Sequence, residues 1–271
     1  MKTPSPLTEP LSAVVTGGAR GIGRGVAALL VERGYAVVIT DIDGEAARRT
    51  ASEVGASESL AQDVRDEASH LEVAAAAGRY GRLAVWVNNA GVGDPGSVGE
   101  LSSEAVNRVV DVNLKGVLWG MRAALGAFGA RSGDIVNISS LSAYGPVPGL
   151  TVYAATKAAV LSASMSAALE APRQVGVHVL CPDGVDTPMV EAMPDNSAAK
   201  ALVHSSGGLL SVDEVAQAAV DLIGSRRVVR SLPGWRGPVV RVGSLIPSRS
   251  RGAFRAFELV GRRVMKRRQQ G

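Results

Sequence analysis

The sequence predicts an α/β chain, a doubly wound parallel sheet of about seven strands with helices on both faces. Two observations predict it. Short runs rich in Val and Ile alternate with longer helical segments at near-regular intervals. The first of those runs also leads straight into a glycine cluster that opens a helix. At 271 residues and 46% hydrophobic content the chain can bury one large core.

The elements follow in order. "LSAVVT" (11–16), "YAVVIT" (35–40), "LAVWVN" (83–88), "DIVNIS" (134–139) and "VGVHVLC" (175–181) read as buried strands, with "ESLAQDV" (58–64) a weaker one. "GPVVRVG" (237–243) is the expected seventh strand. Helical patterns cover 21–33, 44–54, 66–80, 102–128 and 153–170. In "SVDE" (211–214) a Ser precedes a Glu by three, a capping box opening a helix over 212–223.

Composition excludes several classes. With no run of eighteen apolar residues, no transmembrane helix is expected. "MKTPSPLTEP" has no apolar core and does not read as a signal peptide. The single cysteine, Cys181, excludes an internal disulfide and fits a reducing cytoplasm. His70, His178 and His204 form no metal-spaced cluster, so no metal is expected. Charge is uneven: residues 225–271 hold 13 basic side chains against Glu258 alone, net +12, leaving −8 for the preceding body.

In "TGGARGIG" (16–23), Gly17, Gly21 and Gly23 lie between a strand and a helix start, the context for dinucleotide binding. Glycine lets the backbone turn tightly and approach a pyrophosphate at the positive end of a helix. Asp41 ends the second strand, eighteen residues after Gly23, where an acid bonds the adenosine ribose and repels a 2′-phosphate. That favours NAD. Arg20 pulls toward NADP, the alternative, but Ile42 adds no second cation. In "TVYAATKAAV" (151–160), Tyr153 and Lys157 share a helix face. Alone, the pair also fits a lysine snorkelling beside a tyrosine; in a cleft, the cation lowers the phenol's pKa and makes it a proton donor and acceptor.

"TGGARGIG", "NNAG" (88–91), "DVNLKG" (111–116), "IVNISS" (135–140), "YAATK" and "CPDGVDTPM" (181–189) resemble, in order and spacing, the short-chain dehydrogenase/reductase family, over residues 12 to about 224. The resemblance implies a single Rossmann-like domain over 1–248, with 249–271 as a basic amphipathic extension. It implies Tyr153 as acid/base and Lys157 as its pKa partner and a ribose ligand. Ser140 would bond the substrate oxygen, and Asn113 would hold a water in a proton relay. Cofactor contacts would come from Gly17, Arg20, Gly21, Ile22 and Gly23, from Asp41, Asp63 and Val64, from Asn89, Ala90 and Gly91, and from Pro182, Val185 and Thr187. One departure stands out: Asp183 occupies a position where the family usually has glycine.

Residues 188–210 would form a lid, its Met189, Met193, Leu202 and Val203 covering a hydrophobic alcohol or ketone together with Tyr144, Val147 and Leu150. His204 is expected on the lid surface. Phe254, Phe257, Val260 and Met265 fall loosely on one face of the tail. Three readings compete for it: packing on the body or a neighbouring subunit, contact with an anionic membrane, and nucleic-acid binding, the last without a reader motif. The expected protein is a cytoplasmic, NAD-linked oxidoreductase, homotetrameric or homodimeric through its 102–128 and 153–170 helices, with peripheral membrane contact as a further option. The competing class is a non-catalytic NAD sensor or scaffold.

Overall fold

Seven parallel strands form one sheet in the order β3-β2-β1-β4-β5-β6-β7. They are β1 (Leu11–Thr16), β2 (Ala36–Asp41), β3 (Glu58–Ala61), β4 (Arg82–Asn88), β5 (Gly133–Ile138), β6 (Val175–Pro182) and β7 (Val229–Leu232). The computed structural model describes residues 9–245 and 247–270. The side chains of 247–251, 253, 254 and 268–270 lie outside that description, and so do Phe254 and the first eight residues, on which the leader reading falls.

Helices α1 (Gly21–Glu32), α2 (Gly44–Val54) and α9 (Val212–Val220) share a core with one face of the sheet, where Val26, Leu30, Val215 and Val220 meet Val15, Val37 and Ile39. The other face carries α3 (Glu67–Gly78), α5 (Gly116–Phe128) and α6 (Thr151–Glu170) on Val14, Val38, Trp86 and Ile135. Alternate residues of β1 and β2 thus serve opposite cores, as a strand's period of two requires. Local chemistry starts and stops the helices: Asp43 caps α2, Gly55 ends it at φ 76°, and the Ser211–Glu214 box opens α9.

The chain runs outward from β1 to β3, then crosses back to β4 on the other side of β1. The carboxyl ends of β1 and β4 therefore flank a crevice, the usual ligand position in such sheets. Beneath it, Trp86 Nε1 donates to Asn88 Oδ1 (2.8 Å), Asn88 Nδ2 to Asn137 Oδ1 (2.8 Å) and Asn137 Nδ2 to Ser164 Oγ (2.9 Å). This relay satisfies buried amides and ties β4 to β5 and α6.

Four expectations change. The seventh strand is "VRSL" at Val229–Leu232, beside β6, not 237–243, which is helical in α10 (Arg236–Ser244). Pro238 is no obstacle there, because a proline in the first helical turn removes no intrahelical bond. The 102–128 helix divides into α4 (Ser103–Val110), a π-helical turn at Asp111–Lys115, and α5. The 58–64 strand stops at Ala61, leaving Asp63 and Val64 in a loop. Finally, α6 has the length and apolarity to cross a membrane, although no such helix was expected. It packs on β6 and buries Val160, Leu161 and Ser164.

Candidate active site

The glycine turn is built on contacts that exclude side chains. Gly17 has φ 62°, and a Cβ there would stand 2.7 Å from Ala90 Cα. Gly21 also has positive φ, and a Cβ on Gly23 would collide with the Gly17 carbonyl. Asn89 locks the two turns together, its Nδ2 donating to the carbonyls of Thr16 (3.1 Å) and Gly17 (2.8 Å). Thr16 Oγ1 accepts from the Asn89 and Ala90 amides. Arg20 precedes α1 without capping it, and no acid lies in the first turn. The helix start is thus free of side-chain acceptors and fits a pyrophosphate.

Asp41 stands at the end of β2, its carboxylate accepting from the amides of Ala19 and Asp43, both at 3.2 Å. Arg20 leans toward Asp43 (3.8 Å). Asp63 is clamped by Arg65, which donates from Nε at 2.9 Å and holds the carboxyl below its ordinary range. The buried Gln62, absent from the sequence reading, accepts from Thr40 Oγ1 at 2.6 Å on the same wall. Gly91 leaves open a space where a Cβ would meet Asn113 Oδ1 at 3.4 Å and Lys157 Nζ at 3.6 Å. Gly17, Arg20, Gly21, Asp41, Gln62, Asp63, Arg65, Asn89, Ala90, Gly91 and Lys157 border one cleft of about 1280 Å³, and Gly23 packs beneath the turn.

The cleft continues to the catalytic candidates. Tyr153 and Lys157 rise from the first two turns of α6, and Ser140 caps the short 3₁₀ turn Leu141–Tyr144 after β5. Lys157 Nζ donates to the Ile138 carbonyl at 2.9 Å and lies 5.6 Å from the Tyr153 ring centre. Ser139, the neighbour of Ser140, is occupied structurally, its hydroxyl donating to the Lys157 carbonyl at 2.8 Å.

Burial pushes the Tyr153 phenol up to about 12, with the Ser140 hydroxyl pulling the other way. Burial also lowers the Lys157 ammonium to about 8. The expected lowering of the phenol by Lys157 is therefore not what governs the site here. Desolvation disfavours both charged forms, and the ammonium is turned to a carbonyl.

Asn113 sits in the π-helical turn, fully buried. Its Oδ1 accepts from the Val92 amide and its Nδ2 donates to the Val92 carbonyl, both at 2.8 Å. The side chain thus clamps the turn after Gly91.

At the substrate end, Val185 bridges to Leu210, and the Thr187 methyl approaches Gly21. Asp183 Oδ2 lies 2.9 Å from Arg236 Nη1, with the two side chains 8% and 11% exposed. Burial raises the Asp183 pKa against the pull of Arg236. Arg236 Nη2 donates to Ser205 Oγ at 2.7 Å, so one guanidinium joins β6, the lid and α10. Sequence reasoning missed Arg236; the carboxylate at 183 was the signal, since a buried acid needs a cation.

The lid comprises α7 (Pro188–Glu191) and α8 (Ala198–Val203), stapled by Lys200 Nζ on the carbonyls of Glu191 (3.1 Å) and Met193 (2.9 Å). His204 is buried, not a surface residue: its Nδ1 contacts the Lys200 carbonyl at 2.8 Å. The terminal helix α11 (Pro247–Gln270) packs on α8, with Gly261 against the Ala201 carbonyl. Of the tail readings, packing on its own body is the one observed. Phe257 reaches the cleft, as do Trp235, Val239 and Val240.

A family model described as short chain dehydrogenase matches residues 12–198. The chain belongs to the short-chain dehydrogenase family. Like its relatives, this dehydrogenase is an oxidoreductase. It is 40% identical over 180 residues to a sorbitol dehydrogenase of Cereibacter sphaeroides, covering 65% of this chain and 70% of that one. It is 36% identical over 196 residues to a 3-beta-hydroxysteroid dehydrogenase of Comamonas testosteroni, covering 70% and 77%. Among solved structures, a family member from Burkholderia phymatum in complex with NAD superposes with a TM-score of 0.78 at 27% identity, over 89% of this chain and 95% of that one. An actinorhodin polyketide ketoreductase with NADPH gives 0.75 at 29% identity, over 84% and 97%. The matched region ends before α9, β7, α10 and α11, so the dehydrogenase closes its cleft with segments outside the family model.

Proposed function

We propose that the dehydrogenase interconverts a hydrophobic secondary alcohol and its ketone, with NAD as its preferred cofactor. One observation carries the reading: Ser140, Tyr153 and Lys157 line the same cleft as the glycine turn and the apolar lid residues. When bound, the nicotinamide dinucleotide supplies the hydride acceptor or donor. Gly17, Gly21 and Ile22 border the space for its phosphates and Gly23 closes the turn beneath, Asp41 serves its ribose, and Asp63 and Val64 its base. Asn89, Ala90 and Gly91 support the turn, while Pro182, Val185 and Thr187 border the reactive end.

The remaining work belongs to side chains. Tyr153 gives its phenolic proton to a ketone oxygen, or takes one from an alcohol. Ser140 hydrogen-bonds that same oxygen, donating to the ketone and accepting from the alcohol. Lys157 places its ammonium beside the phenol, where it favours the phenolate formed after proton release. A neutral Tyr153 is ready as an acid at neutral pH, and removing its proton for oxidation becomes easier as pH rises.

Asp41 supports NAD: its carboxylate is anchored by two amides and stands where a 2′-phosphate would bring more negative charge. Arg20, leaning toward Asp43, offers such a phosphate little. Met189, Met193, Leu202 and Val203, with Val147 and Leu150 packed against Met193 and Val203, line the cleft and support an apolar substrate. Residues 1–248 read as one catalytic unit and 249–271 as its extension. The exposed Leu118 on α5 and Leu169 on α6 support assembly into a homotetramer or homodimer through those helices. Ser140, Tyr153 and Lys157 lining one cleft speak against a non-catalytic sensor. The test is a panel of alcohols and ketones assayed by NADH absorbance with NAD and with NADP. Turnover of none of them, or a preference for NADP, would overturn the respective half of the reading.

A further inference from the structure

Trp235, Val239, Val242 and Leu245 are 63%, 53%, 66% and 74% exposed. Their spacings of four, three and three place them on one side of α10 and its flanks. The first three also line the cleft, so its apolar interior continues onto the outer surface. On the adjoining α11, Phe257 and Val260, three apart on one helix face, are 45% and 41% exposed. Arg241, Arg255, Arg263, Lys266 and Arg267 are exposed around them. From residue 222 onward the sole carboxylate side chain is Glu258, and Arg262 holds it at 2.7 Å. Single exposed apolar residues are ordinary on a soluble surface; six on two adjoining helices, beside exposed cations, are not.

We propose that this face docks on an anionic lipid bilayer, setting the mouth of the cleft against the membrane so that lipophilic substrates pass to Tyr153 without crossing open water. Charge favours the bilayer over a second copy of the chain. A two-fold contact sets a patch against itself, and here that would oppose the exposed Arg241, Arg255, Arg263, Lys266 and Arg267 with their own copies. Anionic headgroups neutralise the arginines, while Trp and aliphatic side chains enter the boundary with the acyl chains. The substrate route rests on the function proposed above; the docking itself does not.

The experiment sediments the full chain with vesicles of phosphatidylcholine alone, or with added phosphatidylglycerol, at low ionic strength and near 1 M salt, where screening reaches about 3 Å. The expected result is pelleting with the anionic vesicles only, lost at high salt. Leu245→Glu should weaken it, and Arg263→Glu with Arg267→Glu should weaken it at least 25-fold, from roughly fivefold per basic residue at the surface. None of these three lines the cleft, so turnover of a short soluble alcohol should persist. The proposal is overturned if the chain stays in the supernatant, pellets equally on neutral vesicles, or is unaffected by the variants. It is also overturned if Leu245→Glu splits a dimer in size-exclusion chromatography while vesicles bind nothing. A chain that sediments as expected yet turns over no alcohol or ketone would sink the enzymatic reading and leave the docking intact.

Discussion

Breaking the Asp183–Arg236 pair should show whether α10 is fastened over the cleft by a buried ion pair. The partners are 2.9 Å apart and almost wholly out of water. Removing one partner of such a pair costs about 3–5 kcal/mol, because the survivor is left charged and uncompensated. The two removals differ. Asp183→Asn strands a guanidinium that cannot shed its proton, so the penalty should hold at every pH. Arg236→Met strands a carboxyl whose folded pKa burial already raises. Without the guanidinium that pKa rises further, and the folded state binds a proton the unfolded state has released. The Arg236→Met penalty is therefore fully present above the folded pKa and shrinks as pH falls toward the unfolded value. The double variant leaves two neutral groups and should recover about 2 kcal/mol against the sum of the singles. Urea unfolding of all four proteins near pH 5 and pH 8 measures this, with hydrogen exchange of the α10 amides reading local opening. Single costs that add within about 0.5 kcal/mol, with no pH dependence in Arg236→Met and no change in α10 exchange, would refute the fastening.

Tyr153→Phe should lower kcat by about 10²–10⁴-fold while NADH binding, read by fluorescence titration, changes little; activity within tenfold of wild type would remove Tyr153 from the acid/base role. Asp41→Ala with Ile42→Arg should shift the ratio of kcat/KM for NAD over NADP toward NADP, since it removes a repulsion and adds a phosphate partner; an unchanged ratio would show that neither residue reads the ribose. Lys157 has a depressed folded pKa, so the folded state releases its proton near pH 8 and the unfolded state near 10.5. Wild-type stability should rise by about 2–3 kcal/mol relative to Lys157→Met between pH 7.5 and 10, and parallel urea midpoints across that range would contradict the burial of the ammonium.

What was legible in the sequence was what is local. The glycine turn, Asn89, Asp41 and the Tyr153–Lys157 pair each announce themselves through residue types a few positions apart, and the structure brings them to one cleft. The seventh strand was misplaced because Arg226, Arg227 and Arg230 mask its apolar character. Arg230 reaches back to the Ala218 carbonyl and Asp221, and an edge strand tolerates such charge. "PVVRV" looks more strand-like by composition, but only pairing decides which segment joins β6. Asp183 signalled the need for a cation, but its partner Arg236 lies fifty-three positions later in the chain, where only tertiary pairing could single it out. The burial of His204 depends on Lys200 and the lid, a tertiary fact that no periodicity encodes. Spacing reveals that the charges of Tyr153 and Lys157 lie close, but not how far burial dehydrates them.

The seat of Gly261 on the Ala201 carbonyl has a mechanical consequence. Backbones in such close register leave no side chain to deform and no slack to slide, so α8 and α11 travel as one piece. A substrate or product that displaces the lid must swing a 24-residue helix with it. That added bulk makes the opening of the cleft slower than the hinge of a bare loop, and it gives anything that grips the far end of the chain a lever on turnover.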